Sequence, residues 1–215
     1  LLERRPARDE AGDEAGQDVA APAGREPRVP GRIDVRRLAR GGGDPTWLLE
    51  IEEDATSADL VTWDHLGTCF TPSEGPAWDD YTTWTGSVVA TDDGWAMLYT
   101  GTRHADDGLV QRIGLATSAD LVAWTKYPAN PVMEVDPQRY EVLDLTLWHD
   151  QAWRDPWVFR HPHKGDFHAL ITARVKYGSK DGRGVIAHAR SENLFQWEVL
   201  PPVTSPGLFG YLEVP

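Results

Sequence analysis

"ATSADLVTW" spans residues 55–63 and "ATSADLVAW" spans 116–124, with a looser third copy, "ARSENLFQW", at 189–197. Self-similar units must stack on one another to bury their apolar faces, so this repeat decides the fold. Before the second copy lie the β-rich runs "WTGSVVA" (84–90) and "WAMLYT" (95–100), while "RIGLATS" (112–118) runs into its start and the short "AWTKY" (123–127) overlaps its end. Thr91-Asp92-Asp93-Gly94 between the first two is a hairpin signal. The series recurs as "WRDPWVFR" (153–160), a turn at "HPHKGD" (161–166), "FHALITAR" (167–174), "GVIAHARS" (184–191) and "QWEVL" (196–200). Four antiparallel strands per unit, repeated, describe the blades of an all-β propeller.

The nine repeated letters then form the corner between a blade's third and fourth strands. Ser57, Ser118 and Ser191 each follow a strand. Asp59, Asp120 and Asn193, two residues on, suit a side-chain-capped turn, and the tryptophan packs the outer strand. The repeat is not of the WD type. Trp63-Asp64 has as its equivalents Trp124-Thr125 and Trp197-Glu198, and the copies stand 61 and 73 residues apart, beyond the roughly 40–45 of those arrays.

Composition narrows the function. A chain of 215 residues, 40% hydrophobic, has enough apolar surface for one sizeable core. Its net charge of −13 argues against nucleic acid, whose phosphates it would repel. Its ten tryptophans suit a core or a sugar-stacking surface. The lone Cys69 rules out an internal disulfide. With neither a membrane-length apolar run nor a signal-peptide pattern, the sequence reads as soluble, with no membrane partner. The compartment stays open, with the cytoplasm favoured.

The chain divides into two unlike parts. Residues 1–43 contain no Phe, Tyr or Trp and carry nine Arg against eight acids, set among Ala, Gly and Pro. Such a segment buries too little apolar surface to offset its ordering entropy. Residues 1–46 are therefore expected to be disordered or non-native, and 47–215 to form the propeller domain.

Three short motifs begin successive blades: "WTGS" (84–87), "WRDP" (153–156) and "LEVP" (212–215). A propeller's first strands line its central channel, so these motifs converge in space. Two of them place a carboxylate there, Asp155 and Glu213. An acid among tryptophans on such a strand is costly unless it has a partner or a task. Glycoside hydrolysis needs paired carboxylates, one to protonate the leaving oxygen and another to attack or to activate water.

On these residues, "SADLVTWDHLG", "WTGS" followed by "LYTG", "WRDPWVF" and a Glu-x-Pro segment, the chain resembles glycoside hydrolase family 32, the invertases, levanases and inulinases. The resemblance covers about residues 55–215 and implies a five-bladed propeller, of which about three blades fall in this chain. It also implies hydrolysis of terminal fructosyl bonds of sucrose or fructans with retention, and no metal or cofactor. Glu213 would be the general acid/base, and Asp155 would hold two fructosyl hydroxyls and stabilise the oxocarbenium-like transition state. Arg154, Trp84 and Ser87 would bind substrate. The family usually has Glu-Cys-Pro where this chain has Glu213-Val214-Pro215. An inverting arabinosidase or xylosidase-like propeller, or a non-catalytic carbohydrate-binding one, are the alternatives. The oligomeric state stays open.

A retaining enzyme of that family also needs a nucleophilic Asp on the first strand of the first blade. The repeat puts this position 33–36 residues before Ser57, at Ala21-Pro22-Ala23-Gly24, where there is no carboxylate. Asp44 is too close to Ser57 to leave room for the intervening strands. The expectation is an incomplete family member with a replaced or misread N-terminal stretch, exposed strand edges, poor solubility and little hydrolysis on its own.

Other signals point to structure. His161, His163 and His168 straddle the expected hairpin and read as turn residues rather than zinc ligands. Asp79 and Asp80 read as solvated loop residues. "TGTRHADDG" (100–108) lacks the ligand spacing of a calcium loop, and no phosphate-binding loop is present.

Overall fold

The computed structural model describes residues 34–36, 51–56, 61–62, 64–213 and 215. Ala21–Gly24, Asp44, Ser57, Asp59, Trp63 and most of residues 1–46 lie outside the described residues, as do the expectations that rest on them. The described residues form strands in three antiparallel sheets. The first joins β1 (Asp34–Arg36), β2 (Ile51–Thr56) and β3 (Asp64–Phe70). The second runs in order through β4 (Thr82–Thr91), β5 (Gly94–Thr102), β6 (Arg112–Ser118) and β7 (Trp124–Lys126). The third runs through β8 (Trp153–Arg160), β9 (Phe167–Arg174), β10 (Gly184–Ser191) and β11 (Glu198–Leu200). This is a partial β-propeller. No helix among the described residues is long and apolar enough to cross a membrane.

The repeated corner owes its sequence to a hydrogen-bond network that occurs twice among the described residues. Ser118 Oγ accepts from the N–H groups of Asp120 and Leu121, and Asp120 Oδ1 accepts from those of Val122 and Ala123. Ser191 Oγ serves Asn193 and Leu194 in the same way, and Asn193 Oδ1 serves Phe195 and Gln196. Trp124 and Trp197 each donate their indole N–H to the carbonyl three residues back, Leu121 and Leu194. Those two leucines have φ of 66° and 70°, a left-handed conformation that the surrounding bonds hold in place. β7 and β11 begin later than the sequence suggests because Ala123 and Gln196 spend their N–H groups on this network.

The two complete sheets share one core. Leu98, Ile113 and Leu115 from the β4–β7 sheet meet Trp153, Val158, Ile171 and Val185 from the β8–β11 sheet, all buried, with Met133 and Tyr140 from the connecting loop. Tyr140 donates its hydroxyl to the Leu200 carbonyl, and burial raises its pKa to about 12. On the other side of β5 and β6, Trp78 lies against the backbone of Gly101 and Gly114, whose absent side chains leave room for its ring.

Asp79 departs from its sequence reading. It is fully buried, bonded by Tyr99 Oη at 3.1 Å and ion-paired with Lys126 Nζ at 2.5 Å, because the aromatic cover of Trp78 and Tyr99 closes over it. Asp80 stays part-exposed and also accepts from the N–H groups of Ala77 and His104, clamping the backbone of the two loops. The histidines divide. His161 Nδ1 accepts from the N–H groups of His163 and Lys164 in the turn, whereas His168 Nδ1 and His188 Nε2 share a hydrogen bond of 2.7 Å.

Two outcomes follow from this packing. A methyl group at Gly114 would stand 2.4 Å from the Trp78 ring. Gly114→Ala should therefore cost about 1–3 kcal/mol in denaturant unfolding. Burial, and secondarily His168, depress the pKa of His188 below 6.5. The unfolded chain then takes up more protons, so stability should fall as pH drops through 6.5. Unfolding midpoints measured between pH 7 and 5 should show a shallower slope in His188→Gln.

Candidate active site

Both inner strands break register at the same place. In β4 the pairing steps from Trp84↔Thr100 to Gly86↔Tyr99, and in β8 from Arg154↔Thr172 to Trp157↔Leu170. Each is a one-residue bulge, a device that re-aims a side chain. Thr85 and Asp155 occupy equivalent positions in the two bulges. Asp155 has φ of 55°, and Pro156 follows it. An aspartate in that region is strained unless its surroundings fix it. Its N–H donates to Thr100 Oγ1 at 3.0 Å, while Thr100 donates to the Thr85 carbonyl. One blade thus pins the bulge of the next.

Arg154 gathers the acids. Its Nη2 meets Glu213 Oε1 at 2.6 Å, Nη1 donates to Gln111 Oε1 at 2.9 Å and Asp150 Oδ2 at 3.2 Å, and Nε lies 3.6 Å from Asp155 Oδ2. Gln111 donates to Asp150 at 2.9 Å, and Tyr211 donates to the other Asp150 oxygen at 2.6 Å. The guanidinium carbon lies 4.4 Å from the centre of the Tyr211 ring, close enough for a cation–π contact. Arg154 and Asp155 are each only 8% exposed, whereas the Glu213 side chain is 54% exposed. A buried carboxylate and a solvent-facing one are thus held by the same cation.

Burial pushes the Asp155 carboxyl above its ordinary value. Arg154 and hydrogen bonding with Thr85 pull it back, Glu213 pushes it up again, and Thr172 pulls it back.

Among the expected site residues, Arg154, Asp155 and Glu213 come together as described. Trp84 begins the neighbouring bulge and is half-buried. Ser87 joins the blades: its hydroxyl donates to the Pro156 carbonyl and accepts from the Val158 N–H, both at 2.7 Å. One expectation is corrected. Glu213 stands in an irregular segment rather than on a strand, because residues 201–213 meet the start of β10 and the loop before it through single bonds, such as Gly184 N–H to the Phe209 carbonyl and Gly207 N–H to the Gly182 carbonyl, instead of a ladder. Sequence reasoning missed Gln111, Asp150, Thr172 and Tyr211, which lie outside the short motifs. Alignment of the second strands would have found one of them, since Thr100 and Thr172 face the two bulges.

Carboxyl carbon shifts followed against pH should place the pKa of Asp155 above 3.8. Glu213→Gln should lower it and Thr172→Val raise it, because the first removes a like charge and the second a hydrogen bond to the ionised form.

The model of the glycosyl hydrolases family 32 N-terminal domain matches residues 44–215. An acid beta-fructofuranosidase of Vicia faba is 38% identical over 101 residues, covering 44% of this chain and 14% of that protein. A sucrose-6-phosphate hydrolase of Bacillus subtilis (strain 168) is 28% identical over 163 residues, covering 73% of this chain and 30% of its own. The crystal structure of fructan 1-exohydrolase IIa from Cichorium intybus superimposes with a TM-score of 0.62 at 25% identity, over 77% of this chain and 29% of that one. The chain thus spans less than a third of the length of these relatives. The family match takes in the repeated corners, both bulged inner strands and the acids gathered by Arg154, and on it the chain belongs to glycoside hydrolase family 32.

Proposed function

We propose that the chain carries part of a retaining β-fructosidase site acting on terminal fructosyl bonds of sucrose or fructans. The observation that carries this reading is the Arg154 guanidinium reaching Asp155 and Glu213 together, at 3.6 and 2.6 Å. Glu213, open to solvent, is the general acid/base: it protonates the departing glycosidic oxygen and later takes a proton from water. Asp155, buried, accepts hydrogen bonds from two fructosyl hydroxyls, and its charge offsets the positive charge developing on the ring. Arg154 positions both. Trp84 forms an apolar wall, and Ser87 holds β4 against β8 so that the wall keeps its distance from Asp155. No metal or cofactor enters this scheme.

The substrate is a neutral sugar and the protein a soluble one, in keeping with its net charge of −13. The nucleophile is not among the described residues, and the position the repeat assigns to it reads Ala21–Gly24. We therefore propose that the 215-residue chain binds sugar while hydrolysing it little or not at all. That absence also favours a second reading, a sugar-binding propeller without turnover.

Tryptophan fluorescence titrated with sucrose or 1-kestose, together with fructose release, tests the proposal. Asp155→Asn should weaken binding at least about tenfold, a loss of about 1.4 kcal/mol. Glu213→Gln should leave binding within about threefold, since it acts on the leaving oxygen. Binding by the parent should also weaken as pH falls through the raised pKa of Asp155, where the ionised form is lost. Binding indifferent to Asp155→Asn would refute the site, and ready fructose release by this chain would refute its inactivity.

A further inference from the structure

The two complete blades form a second concavity at their opposite ends. β8 leaves the active site at Trp153 and reaches Arg160 seven residues on, so Arg160 stands roughly 17 Å beyond Asp155 along the strand. There the Thr91–Gly94 hairpin and the corners after Ser118 and Ser191 enclose a cleft of about 660 Å³. That volume lies within the range of small-ligand sites.

The lining has a consistent chemistry. Ala96, Leu115, Phe167 and Leu194, all buried, make an apolar floor. Trp95 and Phe195 add aromatic walls from the two different blades. Phe195 is 45% exposed yet held in place, its ring centre 4.9 Å from that of Tyr127. Thr117 and Thr125 are paired across β6 and β7, so both hydroxyls lie on one face of the sheet. The rim carries Asp92, Asp93 and Glu192, and Arg160 spans the blades to bond Asp92 at 2.9 Å.

Aromatic rings accept the C–H face of a pyranose or furanose, while threonine hydroxyls and carboxylates take its hydroxyls. Three acids against one arginine disfavour phosphates, carboxylates and nucleic acid. We infer that this cleft is a second, non-catalytic carbohydrate site that takes a neutral oligosaccharide. It would hold a sugar chain at the far end of the blades from Asp155 and raise its local concentration. The inference stands on the lining of the cleft and does not require the catalytic reading.

The test is a titration of the ¹⁵N-labelled 215-residue chain with 1-kestose, following the tryptophan indole N–H resonances. The Trp95 resonance is assigned by its loss in Trp95→Phe. The Trp95 signal should shift saturably and keep its response in Asp155→Asn. Phe195→Ala should weaken that response at least about tenfold. Thr117→Arg, at an exposed strand position that tolerates a long side chain, should abolish it. A Trp95 signal that does not move, or that moves equally in Phe195→Ala and Thr117→Arg, would overturn the inference, as would loss of the response in Asp155→Asn. Response at Trp84 alone would overturn this site and leave the catalytic one standing, whereas response at Trp95 alone would do the reverse.

Discussion

One buried cation organises the site. Arg154 is almost wholly out of water, yet its guanidinium meets Asp150, Asp155, Glu213 and the Gln111 amide and lies over the Tyr211 ring. Without it, buried acids would face one another in a poorly solvated space, and removing one partner of such a cluster is costly. A planar fork with five donors can serve several acceptors at fixed angles, which a lysine ammonium cannot. The arginine therefore does more than neutralise charge. It ties the β5–β6 connection, the loop before β8 and the segment after β11 to one point.

That point exists because the blades are built alike. A bulge at the same place in β4 and β8 turns Thr85 and Asp155 out of the ladder, and a threonine on each following strand closes the gap. Thr100 takes the N–H of Asp155, and Thr172 donates to the Leu212 carbonyl. Each blade uses the same residue type to secure the segment that follows it. At the equivalent bulge position one blade carries Thr85 and the other Asp155.

Much of this was legible in the sequence. The bounds of β6, β8, β9 and β10 could be read directly, from the turn signals around them and, for β6 and β10, from the closing Ser118 and Ser191 whose hydroxyls cap the turn. Asp155 and Glu213 stood out as carboxylates in short motifs, each one or two residues before a proline, and Arg154 through the family resemblance that its motif carries. What could not be read was long-range. Asp79 looks like a loop charge until Lys126, far along the chain, is seen beside it. Gln111, Asp150 and Tyr211 sit outside any short motif and acquire meaning only where the chain folds back on Arg154. The backbone conformation of Glu213 was likewise invisible, since it depends on which neighbour the last segment finds.

The most direct test of the account is sugar binding by Arg154→Lys, measured by calorimetry with 1-kestose beside a thermal melt of the same sample. The substitution keeps the charge and removes the fork. Binding at the Asp155 site should fall at least about tenfold, as it does on a loss of about 1.4 kcal/mol, while the fold survives. Undiminished binding at that site by Arg154→Lys would contradict the claim that this guanidinium positions the two carboxylates.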